Sequence, residues 1–339
     1  MKLKRLTALL LSVMLVLSLA ACGGGKDAKD DSADGDLSGK EIIIGNITPV
    51  TGAQAAYGLA ITNSIQLAID EINAAGGILG ATVKLSTKDD QGTPAEAVSG
   101  FNSLLSEGAA AIIGATLSSC TSAITSLADD EGIVLVTPSS TADSITTTDD
   151  YVFRSCFKDS FQGEMVAAYA KDQGWTKAAV LYATGDTYSS GLHDSFVKAA
   201  EKYGIEIVCE QSSSDTGAVD FSSQLATIAA SGADMLFAPY YYDAVGPKII
   251  PQAREAGFKG AIIGCDGFDG TQDYTTGDLS AYENVYFTNH YSPEDSSEIV
   301  QNYVKNYTAK YGSESMNALG ALAYDAMYMV KQAIEKAGS

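Results

Sequence analysis

The sequence predicts an α/β protein built as two doubly wound, Rossmann-like lobes that face each other across a cleft. Three observations predict it. Short runs rich in Ile, Val and Leu alternate with longer segments whose apolar residues recur at helical spacing, the pattern of a parallel sheet covered by helices on both faces. The alternation occurs twice, on either side of the irregular stretch SSTADSITTTDDYVFRSCFKDS at 139–160. Hydroxyls, acids and tyrosines gather just after the strand runs, where open α/β sheets bind ligands.

The first lobe begins with EIIIGNI at 41–47, a strand. Ile61, Ile65, Ala68, Ile69 and Ile72 follow at spacings of four, three, one and three, which is one apolar face of a helix. GGILGA at 76–81 places glycines just past the C-terminal end of that helix. TVKLST (82–87) is a second strand, a helix follows from Pro94, AAIIGA (110–115) is a third strand, a helix starts near Ser118, and IVLVTP (133–138) is a fourth strand. The second lobe repeats the pattern. KAAVLYA (177–183), IEIVCE (205–210), DMLFAP (234–239) and GAIIGC (260–265) are strands. SSGLHDSFVKAAEKYG (189–204), DFSSQLATIAASG (220–232) and DAVGPKIIPQAREAG (243–257) are helices, the last despite its glycine and prolines. VYFTNHYS (285–292) is the return crossing, and helices at 295–311 and 316–337 rejoin the first lobe. The expected division is 40–158 plus 287–339 for the first lobe and 159–286 for the second.

Ahead of the lobes, MKLKR carries Lys2, Lys4 and Arg5 and precedes the apolar run LTALLLSVMLVLSLA. These are the n-region and h-region of an export signal; the run is short for a membrane helix and ends in small residues. LAAC at 19–22 resembles the bacterial lipobox, in which the cysteine is lipidated and becomes the new N-terminus. The expectation is a signal peptide at 1–21, a lipidated Cys22, and a tether at 22–39 too poor in apolar residues to repay the entropy of ordering. The protein is then held by lipid on the outer face of the cytoplasmic membrane.

The chain has 339 residues, 46% of them hydrophobic, enough for two domains with their own cores. Its formal charge is −21, or −24 without the three signal cations. Such a surface repels nucleic acid, so no nucleic-acid partner is expected; the excess acid favours solubility, and a monomer is expected. Cys120, Cys156, Cys209 and Cys265 are far apart and form no CxxC pair, so neither a zinc site nor a redox motif is indicated, and their disulfide state is open.

The stretch IIGATLSSCTSA at 112–123 opens a buried strand into Thr116, Ser118, Ser119, Thr121 and Ser122. A nucleophile fails on two counts: the stretch is not GxSxG, and of the two histidines His193 lies on a charge-rich helix and reads as a surface residue. No catalytic residue is expected. A GxxxxGK[ST] phosphate loop is missing, and GGILG follows a helix rather than a strand, so no nucleotide or other cofactor is expected. Asp89–Asp90 and Asp129–Asp130 read as caps or solvated faces, not metal ligands. Two readings of the hydroxyls remain. They cap helices, or, with free N–H groups at a helix start, they seat a carboxylate; TPSSTADS (137–144) repeats the design. The second lobe offers Tyr188, Tyr240, Tyr241, Tyr242 and Asp266 after its strands. An acid at a strand tip with aromatic walls suits an ammonium group, although Asp266 also reads as a turn residue before Gly267.

IGNITPVTGAQAAYG, AIDEINAAGGILG, DDQGTPAEAV, VFRSCFKDSFQG, DFSSQL and QAREAG together resemble the branched-chain amino-acid substrate-binding proteins of ABC importers, which have the type I periplasmic-binding-protein fold. The likeness runs from about residue 40 to the end. It implies a non-enzymatic protein that captures an amino acid between its lobes and presents the closed form to the permease subunits. Matched residue by residue, the carboxylate-binding serine is Ser118, the backbone-donating position Ser139 and the threonine Thr141. The amine-side tyrosine is Tyr241, and the amine-binding acid, often Glu, is Asp266. The loop aromatic is Tyr57, Tyr188 is a cleft tyrosine by a looser match, and Thr116 and Leu117 flank the ligand side chain. Tyr57, Leu117 and Phe161 are expected as apolar walls. The family's pattern continues past Ala337 with further strand and a third crossing, whereas the sequence here closes on EKAGS. The sequence leaves open which amino acid, amide or aromatic acid is bound, and whether the protein serves import or a membrane sensor.

Overall fold

The computed structural model describes residues 35–147 and 150–338. The export signal, Cys22 and the start of the tether lie outside the described residues.

Two five-stranded parallel sheets carry the fold. The first holds β1 (Glu41–Thr48), β2 (Thr82–Asp89), β3 (Ala111–Ile113), β4 (Val134–Thr137) and β5 (Val152–Arg154), in the order β2-β1-β3-β4-β5. The second holds β6 (Lys177–Ala183), β7 (Glu206–Ser213), β8 (Met235–Phe237), β9 (Ala261–Gly264) and β10 (Val285–Phe287), in the order β10-β9-β8-β6-β7. Both orders are the doubly wound pattern 2-1-3-4-5, so each sheet reverses direction once, between its first and third strands. β1 shows why such strands read as unbroken apolar runs. Ile44 pairs with Leu85 on one side and Ala111 on the other, and Ile42, Ile44 and Ile47 are buried on both faces.

The helices follow from apolar spacing and local caps. α1 (Ala55–Ala74) buries Tyr57, Ile61, Ile65, Ala68, Ile69 and Ile72. α2 (Pro94–Ser106) has proline in its first turn and Thr93 as cap, with Thr93 Oγ1 accepting from the Glu96 N–H at 3.4 Å. α3 (Ser118–Ser122) and α4 (Thr125–Glu131) follow β3. In the second half come α5 (Asp159–Asp172), α6 (Thr187–Tyr203), α7 (Ser222–Ala230), α8 (Tyr242–Ala244) and α9 (Ile250–Glu255). Asp186 caps α6 by accepting from the Ser189 N–H at 2.8 Å, and Gly204 ends it in the left-handed conformation. α10 (Glu298–Tyr311) and α11 (Ala318–Ala337) both pack against α1. No helix among the described residues is long and apolar enough to cross a membrane.

The two-lobe α/β reading is borne out, with differences in detail. The irregular stretch at 139–160 contains β5, a three-residue edge strand too short to show a period. The expected return crossing starts with β10, which pairs with β9, so the chain leaves the second sheet only after Phe287. The helix expected from Ser118 breaks after one turn. The helix expected at 243–257 has a π turn at Val245–Ile249, between α8 and α9, which accommodates Gly246 and Pro247. His193 is partly covered at the surface: its side chain is 13% exposed, stacks on Tyr182 and hydrogen-bonds the exposed acids Asp194 and Glu210, each at 2.8 Å. Cys120, Cys156, Cys209 and Cys265 are free thiols.

Candidate functional site

In a 2-1-3-4-5 sheet the crevice lies beyond the carboxyl ends of the strands that flank the reversal. Those strands are β1 and β3 in the first sheet and β6 and β8 in the second. The segments that follow them bring Tyr57, Thr116, Leu117 and Ser118 from one side to Tyr188 and Tyr241 from the other. Ser139 after β4 and Asp266 after β9 complete the ring. These eight residues, with Gly267 and Leu319, line one tight cavity between the lobes. None of the lining residues is Lys, Arg or His.

The first-lobe hydroxyls divide between the two roles left open by the sequence. Thr137 Oγ1 donates to the Ala115 carbonyl at 2.8 Å, Ser139 Oγ donates to the Thr116 carbonyl at 2.8 Å, and Thr116 pairs with Thr48 at 2.7 Å. These bonds hold the strand tips in shape. Ser118 differs. Among the described residues its Oγ accepts a long 3.4 Å bond from the Ala142 N–H and donates to none. Leu117 precedes α3 without a side-chain cap, which leaves first-turn N–H groups beside Ser118. α3 has only five residues, so local N–H donors, not a long helix dipole, give this corner its preference for an anion.

The second-lobe tyrosines form the opposite wall. Tyr188 and Tyr241 stack with centroids 5.1 Å apart, and Tyr57 meets Tyr242 edge-on at 4.7 Å. Burial pushes the Tyr57, Tyr188 and Tyr241 phenols well above their ordinary values, so they stay neutral donors. Asp266 Oδ1 accepts from Gln162 Nε2 at 2.8 Å and Tyr188 Oη at 3.0 Å, and Oδ2 accepts from His290 Nε2 at 3.2 Å. Gly267 is glycine for a steric reason: a Cβ there would lie 2.7 Å from the Tyr240 carbonyl and 2.8 Å from Tyr188 Oη.

A second acid, Asp159, sits behind the cavity. Burial, and next the charge of Asp266, push its carboxyl well above the usual range. Gln162 Nε2 also reaches Asp159 Oδ1 at 3.3 Å. Thr141 does not line the cavity. It is fully buried, and its Oγ1, like Asp159 Oδ2, has no hydrogen-bond partner among the described residues. Phe161, expected as a wall, is 51% exposed on α5 and packs on Phe157, outside the cavity. The helical period places Phe161 on the solvent side, opposite the buried Gln162, Gly163 and Val166. Asp90, read as a cap or solvated acid, is completely buried, with Oδ1 on the Gly92 N–H at 2.9 Å and Oδ2 without a partner. Asp89, by contrast, is solvent-facing and ties down the loop through Val50 and Thr51.

The lobes also meet around the cavity. Tyr57 Oη donates to the Gly267 carbonyl at 2.6 Å. At the rim Gln54 Nε2 donates to Asp243 Oδ1 at 3.0 Å, while Tyr242 Oη accepts from the Ala56 N–H (3.2 Å) and donates to the Ala53 carbonyl (2.9 Å). Asp269 Oδ2 accepts from the Ala318 N–H at the start of α11, at 2.7 Å, which brings Leu319 to the cavity.

Gln162, His290 and Leu319 were not legible as site residues. His290 is one of only two histidines and lies in the segment read as the return crossing, which is the one signal that points to it.

A model of the periplasmic binding protein family matches residues 41–339. Leu/Ile/Val-binding protein homolog 3 of Brucella melitensis is 32% identical over 308 residues, 88% of this chain and 80% of that protein. A leucine-binding protein LivK from Thermotoga maritima is similar in structure, with TM-score 0.81, 32% identity, and coverage of 88% of this chain and 84% of that one. The branched-chain amino acid transporter substrate-binding protein LivJ of Streptococcus pneumoniae, solved in complex with isoleucine, has TM-score 0.79 and 32% identity over 87% of this chain and 84% of that one.

Proposed function

We propose, from the premise that this chain belongs to the periplasmic binding protein family, that it captures a branched-chain type amino acid between its lobes and delivers it to the permease of an ABC importer. One observation carries the reading. Anion-seating donors on the first lobe face an acid with tyrosine walls on the second, across one enclosed cavity between the lobes. The ligand carboxylate rests on Ser118 and the N–H groups beside it. The ammonium group meets Asp266 and Tyr241. Thr116, Leu117, Ser139, Tyr57, Tyr188 and Leu319 surround the side chain. An apolar side chain suits this lining, because no cation is present to meet a second acid. The role is binding rather than catalysis, in keeping with the relatives named above. The protein works outside the cytoplasm, as a monomer held by lipid on Cys22; LAAC at 19–22 supports the anchor.

Calorimetric titration tests the ligand class. Leucine, isoleucine or valine bind, and glutamate and lysine compete weakly. Burying one such aliphatic side chain contributes about 1.5–3 kcal/mol, enough to separate the ligands by tens of fold. Tight glutamate or lysine binding without leucine binding overturns the branched-chain assignment.

A further inference from the structure

We infer that His290 is a positioning residue that fixes which oxygen of Asp266 meets the ligand ammonium, and so sets the preference for an amine at the α-carbon; this rests on the amino-acid reading above. A carboxylate offers about four acceptor positions, two on each oxygen. Gln162 Nε2 and Tyr188 Oη take both positions on Oδ1, and His290 Nε2 takes one on Oδ2. The position left is on Oδ2, the oxygen that the imidazole holds. His290 does not line the cavity, so it acts through Asp266 and not on the ligand.

The imidazole is itself held. Its side chain is 2% exposed, and its ring stacks on Phe157 with centroids 3.7 Å apart and planes 27° apart. Phe157 lies in the connection from β5 to α5, and His290 in the connection from β10 to α10, so two links between the lobes meet at this stack. Gln162 fastens the other side. Its Oε1 accepts from the Asp266 N–H at 3.1 Å and from Thr288 Oγ1 at 2.7 Å, two residues before His290. A half-turn of the Asp266 carboxylate would exchange its oxygens. An amide, a phenol and an imidazole, each locked by its own neighbours, hold it in one setting. Without the imidazole, Oδ2 has two open positions and only the Oδ1 donors resist rotation.

The test compares two ligands on the whole protein: L-leucine, and its 2-hydroxy analogue, in which a neutral hydroxyl replaces the ammonium group. The parent prefers leucine. In His290→Ala the leucine affinity falls roughly tenfold while that of the hydroxy acid changes by less than about twofold, the loss of one charge-assisted contact. His290→Gln, which keeps an N–H donor near Oδ2, regains at least part of the preference. It also serves as the reading if His290→Ala fails to fold. An undiminished preference in His290→Ala, or an equal loss of both ligands in the variants, overturns the inference. No binding of leucine by the parent overturns the amino-acid reading itself, and is visible before any variant is made.

Discussion

The phenol of Tyr57 and the backbone carbonyl of Gly267 are joined across the cleft by a 2.6 Å hydrogen bond, a buried contact in which Gly267 directly follows the acid at 266. The bond spans the cleft, so it needs the two lobes to be in contact at this point. Tyr57→Phe removes it and leaves the Gly267 carbonyl without its donor. One neutral hydrogen bond contributes about 0.5–1.5 kcal/mol net, so the leucine dissociation constant rises by roughly two- to tenfold. Calorimetry measures that change, and melting without ligand shows the lobes themselves barely affected. An unaltered affinity removes Tyr57 from the closure.

Asp266→Asn keeps the shape of the acid and removes its charge. A charge-assisted hydrogen bond in a closed cleft is worth on the order of 1.5–3 kcal/mol, so leucine affinity falls roughly ten- to a hundredfold. Ser118→Ala costs less, because backbone N–H groups remain beside it. Equal affinities of the parent and Asp266→Asn place the amine contact elsewhere.

Asp90 makes a prediction about pH. Burial pushes its carboxyl up to about 6 in the folded protein, against about 3.9 in an unfolded chain. The folded state therefore favours the protonated acid. The stability this contributes is fully present below pH 4 and is lost as pH rises through 6, a change on the order of 2–3 kcal/mol. Asp90→Asn, always neutral, loses that part of the slope. Denaturant melts of both proteins between pH 4 and 7.5 measure the difference; parallel curves rule out Asp90 as the titrating group.

Cys22→Ala tests the anchor. The variant is released from the membrane fraction or retains its signal peptide, as read by fractionation and by the mass of the mature chain. Unchanged membrane attachment with normal processing excludes lipidation at Cys22.

What the sequence made legible follows from what is local. Strands buried on both faces are unbroken apolar runs, so β1, β3, β4, β6, β8 and β9 could be seen, and the turns after them are where α/β chemistry collects. Ser118, Tyr188 and Asp266 were found that way. β5 was not, because three residues at a sheet edge carry no period. The break between α3 and α4 was missed because SSCTSAITS reads smoothly as one helix. Gln162 and His290 reach Asp266 from 104 and 24 residues away, through connections whose path depends on how the lobes sit. Leu319 reaches the cavity from the first turn of α11, which packs on α1 and is also held by Asp269. Asp90 misled for the opposite reason: its local pattern is that of a loop cap, and its burial comes from distant neighbours.

The rim bonds from Gln54, Ala53 and Ala56 to Tyr242 and Asp243 join the lobes through groups that do not line the cavity. They stabilise the closed form whatever molecule lies inside. An apparent dissociation constant is the intrinsic one divided by the fraction of molecules already competent to bind. Loosening or tightening this rim therefore shifts the dose at which uptake begins for every accepted ligand by the same factor. The dial for sensitivity and the template for identity are thus separate sets of residues, and variation at one can proceed without rewriting the other.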